Sequence, residues 1–381
     1  MIVRPSLHRI SALVFVSITS AFLAGCGGSA AVNPPSSGGS GDTTYAQQAA
    51  TGVQELQLWY SQGSGLYASP SGWWNAANSI TMLADYEKVT GDRSYDSVLA
   101  NTFTAAQASH ANFTNSYFDD SGWWALAWIE AYDVTGNAQY LSMAETIFNY
   151  IAANGWDTSA CGGGVWWNTS KTYKNAIPNE LFLTIAAKLA NRTTGTASAG
   201  YLNWAQTEWA WFKASGMING QNLINDGLNS SSPTACVNNN GTTWTYNQGV
   251  ILGGLAELYQ ADQDAALLPQ AEAIADAAQA KLVTSGGILA EPGTGFTGGD
   301  GPQFKGIFMR NLMEMYAALP STSAERAKYK SFADANAASI WSNDRNSSNQ
   351  FGAYWQGPVD STDATRQTSA LDALVAAAAM Q

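Results

Sequence analysis

The sequence predicts an all-α fold in which six helical hairpins close into a ring, an (α/α)6 barrel of six inner and six outer helices. Three observations predict it. Helical periodicity runs along most of the chain, and no Val/Ile/Thr-rich alternating run of strand type stands out. The helical segments alternate between two kinds, one apolar or small nearly all round and one with a single apolar stripe. The connections entering the apolar helices are long, whereas those leaving them are short.

In chain order the periodicity predicts helices over roughly 45–61, 74–90, 94–109, 120–135, 138–154, 176–192, 198–215, 246–261, 268–284, 305–318, 323–341 and 364–380. The even-numbered ones carry the apolar runs Trp123 to Ile129, Leu181 to Leu189, Val250 to Leu258, Ile307 to Tyr316 and Ala370 to Ala379. Helices of that kind are buried on more than one side. The odd-numbered ones are striped. In the fifth, Tyr140, Ala144, Ile147, Phe148 and Ile151 share one face, and in the ninth Leu267, Ala271, Ile274, Ala278 and Leu282 do. Buried helices alternating with striped ones describe two concentric layers. A weak internal repeat agrees: Val89-Thr90-Gly91-Asp92 with Tyr95 recurs as Val134-Thr135-Gly136-Asn137 with Tyr140. Each copy marks a tight turn from an inner to an outer helix, with glycine ending the helix. A straight solenoid of hairpins is the competing architecture, and it would show more regular repeat lengths.

Ahead of the helices lies a targeting segment. Arg4 and Arg9 precede an apolar run from about Ile10 to Ala24, too short for a comfortable membrane span. It ends in Leu23-Ala24-Gly25-Cys26 and passes into a Gly/Ser/Pro-rich stretch to Thr43. This resembles a bacterial lipoprotein signal, which implies cleavage before Cys26 and lipidation of that residue. An ordinary signal peptide with an incidental cysteine is the alternative. The expected organisation is a signal peptide over 1–25, a lipidated cysteine and flexible tether over 26–43, and one helical domain over 44–381. Gly27 after the cysteine fits outer-membrane or surface placement. Cys161 and Cys236 remain, and two cysteines in an exported protein most economically pair with each other. Two free buried thiols are the alternative.

Composition narrows the chemistry. The formal net charge of −12, with 17 Lys plus Arg in 381 residues, leaves no basic stripe for nucleic acid. Fifteen tryptophans favour a neutral ligand that stacks on aromatic faces, of which sugars are the usual case. His8 and His110 are the only histidines, which excludes a His-based triad and a zinc site built on several imidazoles. No Gly-rich phosphate loop follows a strand. No cofactor and no metal are expected.

In a two-layer barrel every long entering loop lies on one face, at the inner helix N-termini. The loops on that face are rich in Gly, Asn and aromatics, including Trp166, Trp167, Tyr173, Phe296 and Phe304. Long connections on a rigid scaffold are where binding residues concentrate. Asp119 and Asp120 fall there, in Tyr117-Phe118-Asp119-Asp120-Ser121-Gly122-Trp123-Trp124. One Asp at a helix start caps free N–H groups, but a second among aromatics must be paired or desolvated, which is costly. Adjacent residues on a helix point about 100° apart, so two carboxylates there can flank one bond. Glycoside hydrolysis needs that division of labour, one carboxyl protonated and the other ionised.

The Asp119-Asp120 stretch with Trp123-Trp124-Ala125-Leu126-Ala127-Trp128 resembles the signature of glycoside hydrolase family 76, the α-1,6-mannanases. Trp73-Trp74-Asn75, Asn179-Glu180-Leu181-Phe182, Asn225-Asp226-Gly227-Leu228, Thr245-Tyr246-Asn247-Gln248-Gly249, Phe304-Lys305-Gly306 with Arg310, and Gln367-Thr368-Ser369-Ala370 are similar to it too. The resemblance implies an (α/α)6 barrel and endo-acting, retaining hydrolysis of α-1,6-linked mannan, without a metal. It implies Asp119 as nucleophile and Asp120 as general acid/base. Trp73, Trp74, Asn75, Trp123, Trp124, Asn179, Asp226, Tyr246, Asn247 and Gln248 are the expected sugar contacts. The tryptophans could equally be core packing, the helix-start amides capping groups, and Asp226 a turn residue.

The expected protein is thus an exported, lipid-anchored glycoside hydrolase of the bacterial outer membrane or cell surface. Its expected partners are α-1,6-mannan or manno-oligosaccharide and, through the anchor, a membrane; a monomer is expected. A transglycosylase, a hydrolase of a different glycan and a non-catalytic glycan-binding lipoprotein are the alternatives.

Overall fold

The computed structural model describes residues 44–229, 235–293 and 298–381. The expected signal peptide, Cys26 and tether lie outside the described residues, as does Phe296. Twelve α-helices follow in order: α1 Tyr45–Leu56, α2 Trp73–Thr90, α3 Asp96–Ala105, α4 Phe118–Thr135, α5 Ala138–Asn154 and α6 Ala176–Arg192, then α7 Gly195–Ala214, α8 Thr245–Asp262, α9 Leu267–Lys281, α10 Gly301–Ala318, α11 Glu325–Asn343 and α12 Ala364–Ala379. A two-stranded hairpin, β1 Tyr60–Ser61 and β2 Leu66–Tyr67, sits between α1 and α2.

The even-numbered helices form a closed ring: α2 packs on α4, and the contacts pass through α6, α8, α10 and α12 back to α2. The odd-numbered helices cover this ring from outside. Where inner helices touch, glycine allows the approach. A Cβ on Gly249 of α8 would meet the Cα of Phe308 in α10 at 2.5 Å, and one on Gly306 of α10 would meet the Cα of Ser369 in α12 at 2.5 Å. The repeated Val-Thr-Gly turns end α2 and α4 with Gly91 and Gly136 at φ of 75° and 70°, the left-handed region that closes a helix.

The two ends of the ring are built differently. Toward the C-terminal ends of the inner helices, charges are buried in pairs. Lys188 of α6 lies 2.7 Å from Glu130 of α4, 2.9 Å from Glu314 of α10 and 3.4 Å from Glu257 of α8. Arg192 holds Asp133 at 2.6 Å and Glu257 at 3.1 Å. Midway along the ring, Arg310 of α10 reaches Asp372 of α12 at 3.2 Å and donates to Asn78 of α2 at 2.6 Å. All six inner helices are stitched together by these contacts. Burial would raise Glu257, but Lys188 and Arg192 pull it down to about 2.

The long loops at the opposite end are held by amide side chains. Asn179, fourth residue of α6, accepts from Val165 N at 2.6 Å and donates to Val165 O at 3.0 Å. Gln248, fourth in α8, does the same to Ile224 at 2.7 and 2.9 Å. Gln367, fourth in α12, accepts from Phe351 N at 3.0 Å. Val165, Ile224 and Phe351 are fully buried, so each clamp satisfies backbone groups that water cannot reach. Between the first two loops, Cys161 and Cys236 are joined in a disulfide with their Cα atoms 5.3 Å apart.

Candidate active site

The loop ahead of α4 and the loop after α5 pair through Tyr117 and Asn168. Phe118 N donates to Trp167 O at 2.9 Å and Thr169 N to Ser116 O at 2.9 Å. This pairing sets Trp167 over the start of α4, where its indole N–H donates to Asp119 Oδ2 at 3.0 Å. Asp120 Oδ2 accepts from the Asn115 amide at 2.6 Å. The N-cap of α4 is Tyr117, whose side chain makes no capping bond. The aspartates are therefore the second and third helical residues, and neither occupies the cap.

The pair opens into a cleft of about 260 Å³ lined by Trp74, Tyr117, Asp119, Asp120, Trp123, Trp167, Tyr246, Asp300 and Phe304. Tyr246 stacks on Phe304 at 4.0 Å with 8° between the rings, and Trp74 lies 5.7 Å from Trp123. The indole N–H of Trp74 donates to Asp300 at 2.8 Å. Aromatic faces around two carboxyls suit a sugar ring, whose C–H faces match an indole in shape and polarity.

Burial pushes Asp119 up to about 8; the charge of Asp120 adds to this, and the Trp167 N–H and the backbone N–H groups of Asp119 and Asp120 oppose it. Burial also raises Asp120, to about 6, against the Asn115 amide and with a contribution from Asp300. Two carboxyls in this relation hold one proton between them through the neutral range. That is the protonation state an acid and a nucleophile require together. Tyr246 is raised first by burial and then by the charges of Asp226, Asp119, Glu180 and Asp300.

Of the expected sugar contacts, Trp74, Trp123 and Tyr246 line the cleft with the aspartates. The others do not. Trp73 and the fully buried Trp124 pack together at 4.7 Å, with Phe113 4.8 Å from Trp124, so both belong to aromatic core packing. Asn179 spends its amide N–H groups on Val165 O and Asn175 O, and Gln248 on Ile224 O and Trp244 O; both side chains are fully buried. Asn75 accepts from Gly72 N at 2.9 Å at the start of α2. Asn247 is completely buried, with neither amide atom partnered. Asp226 is half-buried and accepts from the Tyr173 hydroxyl, which Asn239 in turn holds at 2.9 Å. Tyr117 and Asp300 line the cleft without having been singled out as contacts. Asp300 lies 226 residues from the indole it binds, a pairing that spacing along the chain does not reveal.

The family model for glycosyl hydrolase family 76 matches residues 43–381. The chain belongs to glycosyl hydrolase family 76. It is 29% identical over 285 residues to a putative mannan endo-1,6-alpha-mannosidase of Schizosaccharomyces pombe, covering 69% of this chain and 63% of that one. It is 30% identical over 223 residues to the mannan endo-1,6-alpha-mannosidase DCW1 of Saccharomyces cerevisiae, covering 52% and 47%. The chain therefore spans between about half and two thirds of the length of these curated relatives. Among solved structures, the family 76 alpha-1,6-mannanase of Salegentibacter sp. HEL1_6 superposes with a TM-score of 0.79 at 23% identity, over 88% of this chain and 100% of that one. An inactive variant of that mannanase, with two consecutive aspartates replaced and alpha-1,6-mannotetrose bound, gives a TM-score of 0.78 at 22% identity, over 89% and 100%. The fold of this family 76 member is the helical barrel of those mannanases.

Proposed function

We propose that the protein is an endo-acting α-1,6-mannanase that cleaves internal linkages of a mannan chain with retention. The observation that carries the proposal is the pair Asp119-Asp120, two half-buried carboxyls lining one aromatic-walled cleft, both lifted by burial above the ordinary carboxylate range. The family 76 relatives named for this activity, and the mannanase inactivated at two consecutive aspartates, support the same substrate and the same pair. Neighbouring positions on one helix, and the charge of Asp120 felt at Asp119, fit two carboxyls close together, the arrangement that favours direct attack on the sugar over insertion of a water.

The Asp119 carboxylate attacks the anomeric carbon while Asp120 gives its proton to the glycosidic oxygen. The leaving sugar departs with that proton, and a glycosyl ester forms on Asp119. Water then attacks the same carbon, Asp120 takes the water's proton, and the Asp119 carboxylate is released. Burial favours the shared proton on Asp119. Cleavage therefore requires it to pass to Asp120 when a sugar fills the site. The N–H groups on Asp119 hold its ionised form once the proton has left. Trp74, Trp123 and Tyr246 are the proposed sugar platform.

Export and a lipid anchor on Cys26 complete the proposal; the apolar run ending in Leu23-Ala24-Gly25-Cys26 supports them. The protein incubated with linear α-1,6-mannan should release new reducing ends, first seen by NMR as the α anomer. Binding without cleavage would replace the mannanase with a glycan-binding module, and β-anomer product would replace retention with inversion. Mass spectrometry of the exported protein should find acyl chains on Cys26, and an unmodified cysteine would refute the anchor.

A further inference from the structure

A second cavity adjoins the cleft and is larger, at about 420 Å³, which lies in the ordinary range for a small-molecule site. The two share one wall, Trp74 with its hydrogen-bonded Asp300. The base of this second pocket is buried and polar, with Asn75, Asp363, Thr365 and Arg366 all less than a tenth exposed. Its rim is open at Ser361 and Gly298. The starts of α2, α10 and α12 converge on it, whereas α12 contributes nothing to the cleft.

The lining selects a ligand class. An apolar ligand would desolvate the polar rim, where Asp300 and Ser361 are exposed and Thr362 is half-exposed, without replacing the hydrogen bonds these groups make to water. An anion would face Asp300 and Asp363, and the guanidinium of Arg366 is already engaged by Asp363 and by Asp360 at 3.3 Å. A neutral polyhydroxylated ring meets neither penalty. Its hydroxyls can pair with carboxylates and with N–H groups at the helix starts, and Trp74 supplies an aromatic face. We propose that this pocket is a hexose site separate from the cleavage subsites, holding a further sugar of the same glycan as it passes over the Trp74 wall. The proposal deepens the mannanase reading, because it takes the chain in the cleft to be mannan. The sugar is either the next unit of the α-1,6 backbone or a side branch on it, since both present the same neutral ring.

The test uses Ser361→Trp and Gly298→Trp, which place a large side chain at two positions of the open rim; a Cβ on Gly298 meets nothing within 4 Å. Calorimetric binding is measured in a protein that also carries Asp119→Asn and Asp120→Asn, so that it does not depend on turnover. The ligands are linear α-1,6-mannotriose, linear α-1,6-mannohexaose and a branched α-1,6-manno-oligosaccharide. Filling the pocket should weaken binding of the hexaose about tenfold relative to the triose if the pocket holds a backbone unit. It should weaken only the branched ligand by that factor if the pocket holds a branch. Unchanged affinity for all three in both folded variants would overturn the proposal, as would equal weakening of all three. If the unsubstituted protein cleaves no α-1,6-mannan but binding still follows the pocket, the mannanase reading fails and the hexose site stands.

Discussion

Two carboxylate clusters of the barrel treat buried charge in opposite ways. Toward the C-terminal ends of the inner helices, Glu130, Glu257 and Asp133 each face a cation from a neighbouring helix, and Glu257 is held as low as about 2. At the N-terminal end Asp119 and Asp120 have no cation, and burial and repulsion lift them to about 8 and about 6. One fold thus uses Glu130, Glu257 and Asp133 as rivets and Asp119 and Asp120 as proton carriers. The neighbours decide which, and burial alone does not: Glu130, at 2% exposure, is more buried than either aspartate, yet against that burial Lys188, Lys88 and Arg192 hold it ionised.

The sharpest way to break this contrast is to remove charge from each end. Asp119→Asn should lower kcat on linear α-1,6-mannan on the order of 10⁴-fold or more, because the attacking group is gone. Its effect on stability should have the opposite sign. The folded-state value of Asp119 lies above its unfolded value, so the stability it contributes is present at low pH and lost as pH rises through about 8. The variant should therefore melt at or above the parent temperature at pH 8, with little difference at pH 4. A lower melting temperature at pH 8 would contradict the account. At the other end, Lys188→Met strands Glu130, Glu257 and Glu314 without their shared cation. It should cost about 3–5 kcal/mol of unfolding free energy in urea titrations. Since Glu257 is depressed in the folded state, the stability it contributes is present above its unfolded value and lost as pH falls toward 2.

Two smaller changes test the loop end. Gln248→Leu leaves both backbone groups of Ile224 unpaired in the core and should cost about 1–3 kcal/mol, measured by the same titration. Were Gln248 a sugar contact, KM would rise and stability would hold. Trp167→Phe keeps the aromatic ring and removes one donor from Asp119; kcat should fall about tenfold, the worth of one hydrogen bond to a charged group.

Much of the barrel was legible because its signal is local. Periodicity separated buried helices such as Trp123 to Ile129 from striped ones, and the Val-Thr-Gly repeat marked the turns that Gly91 and Gly136 make. Loop asymmetry then put Asp119 and Asp120 on the elaborated face. The sugar contacts were less legible because Asn and Gln at a helix start serve a ligand and a loop backbone equally well. Asn179, Gln248 and Gln367 share the fourth position of three inner helices, and that common register is the signal that could have identified them as clamps. Trp73 and Trp124 stand beside Trp74 and Trp123 in sequence but turn about 100° away from them on their helices, one of each pair into the core and the other into the cleft. The bond from Trp74 to Asp300 joins distant segments, and no local pattern encodes it.

The claim that two uncompensated carboxyls share one proton is tested most directly by the pH dependence of kcat/KM on a linear α-1,6-manno-oligosaccharide. Below about 6 both groups are protonated and no nucleophile is present, and above about 8 both are ionised and no acid is present. The account predicts a bell with its limbs near these two values. A rate that stays level from pH 5 to about pH 9, or climbs steadily across that range, would contradict it.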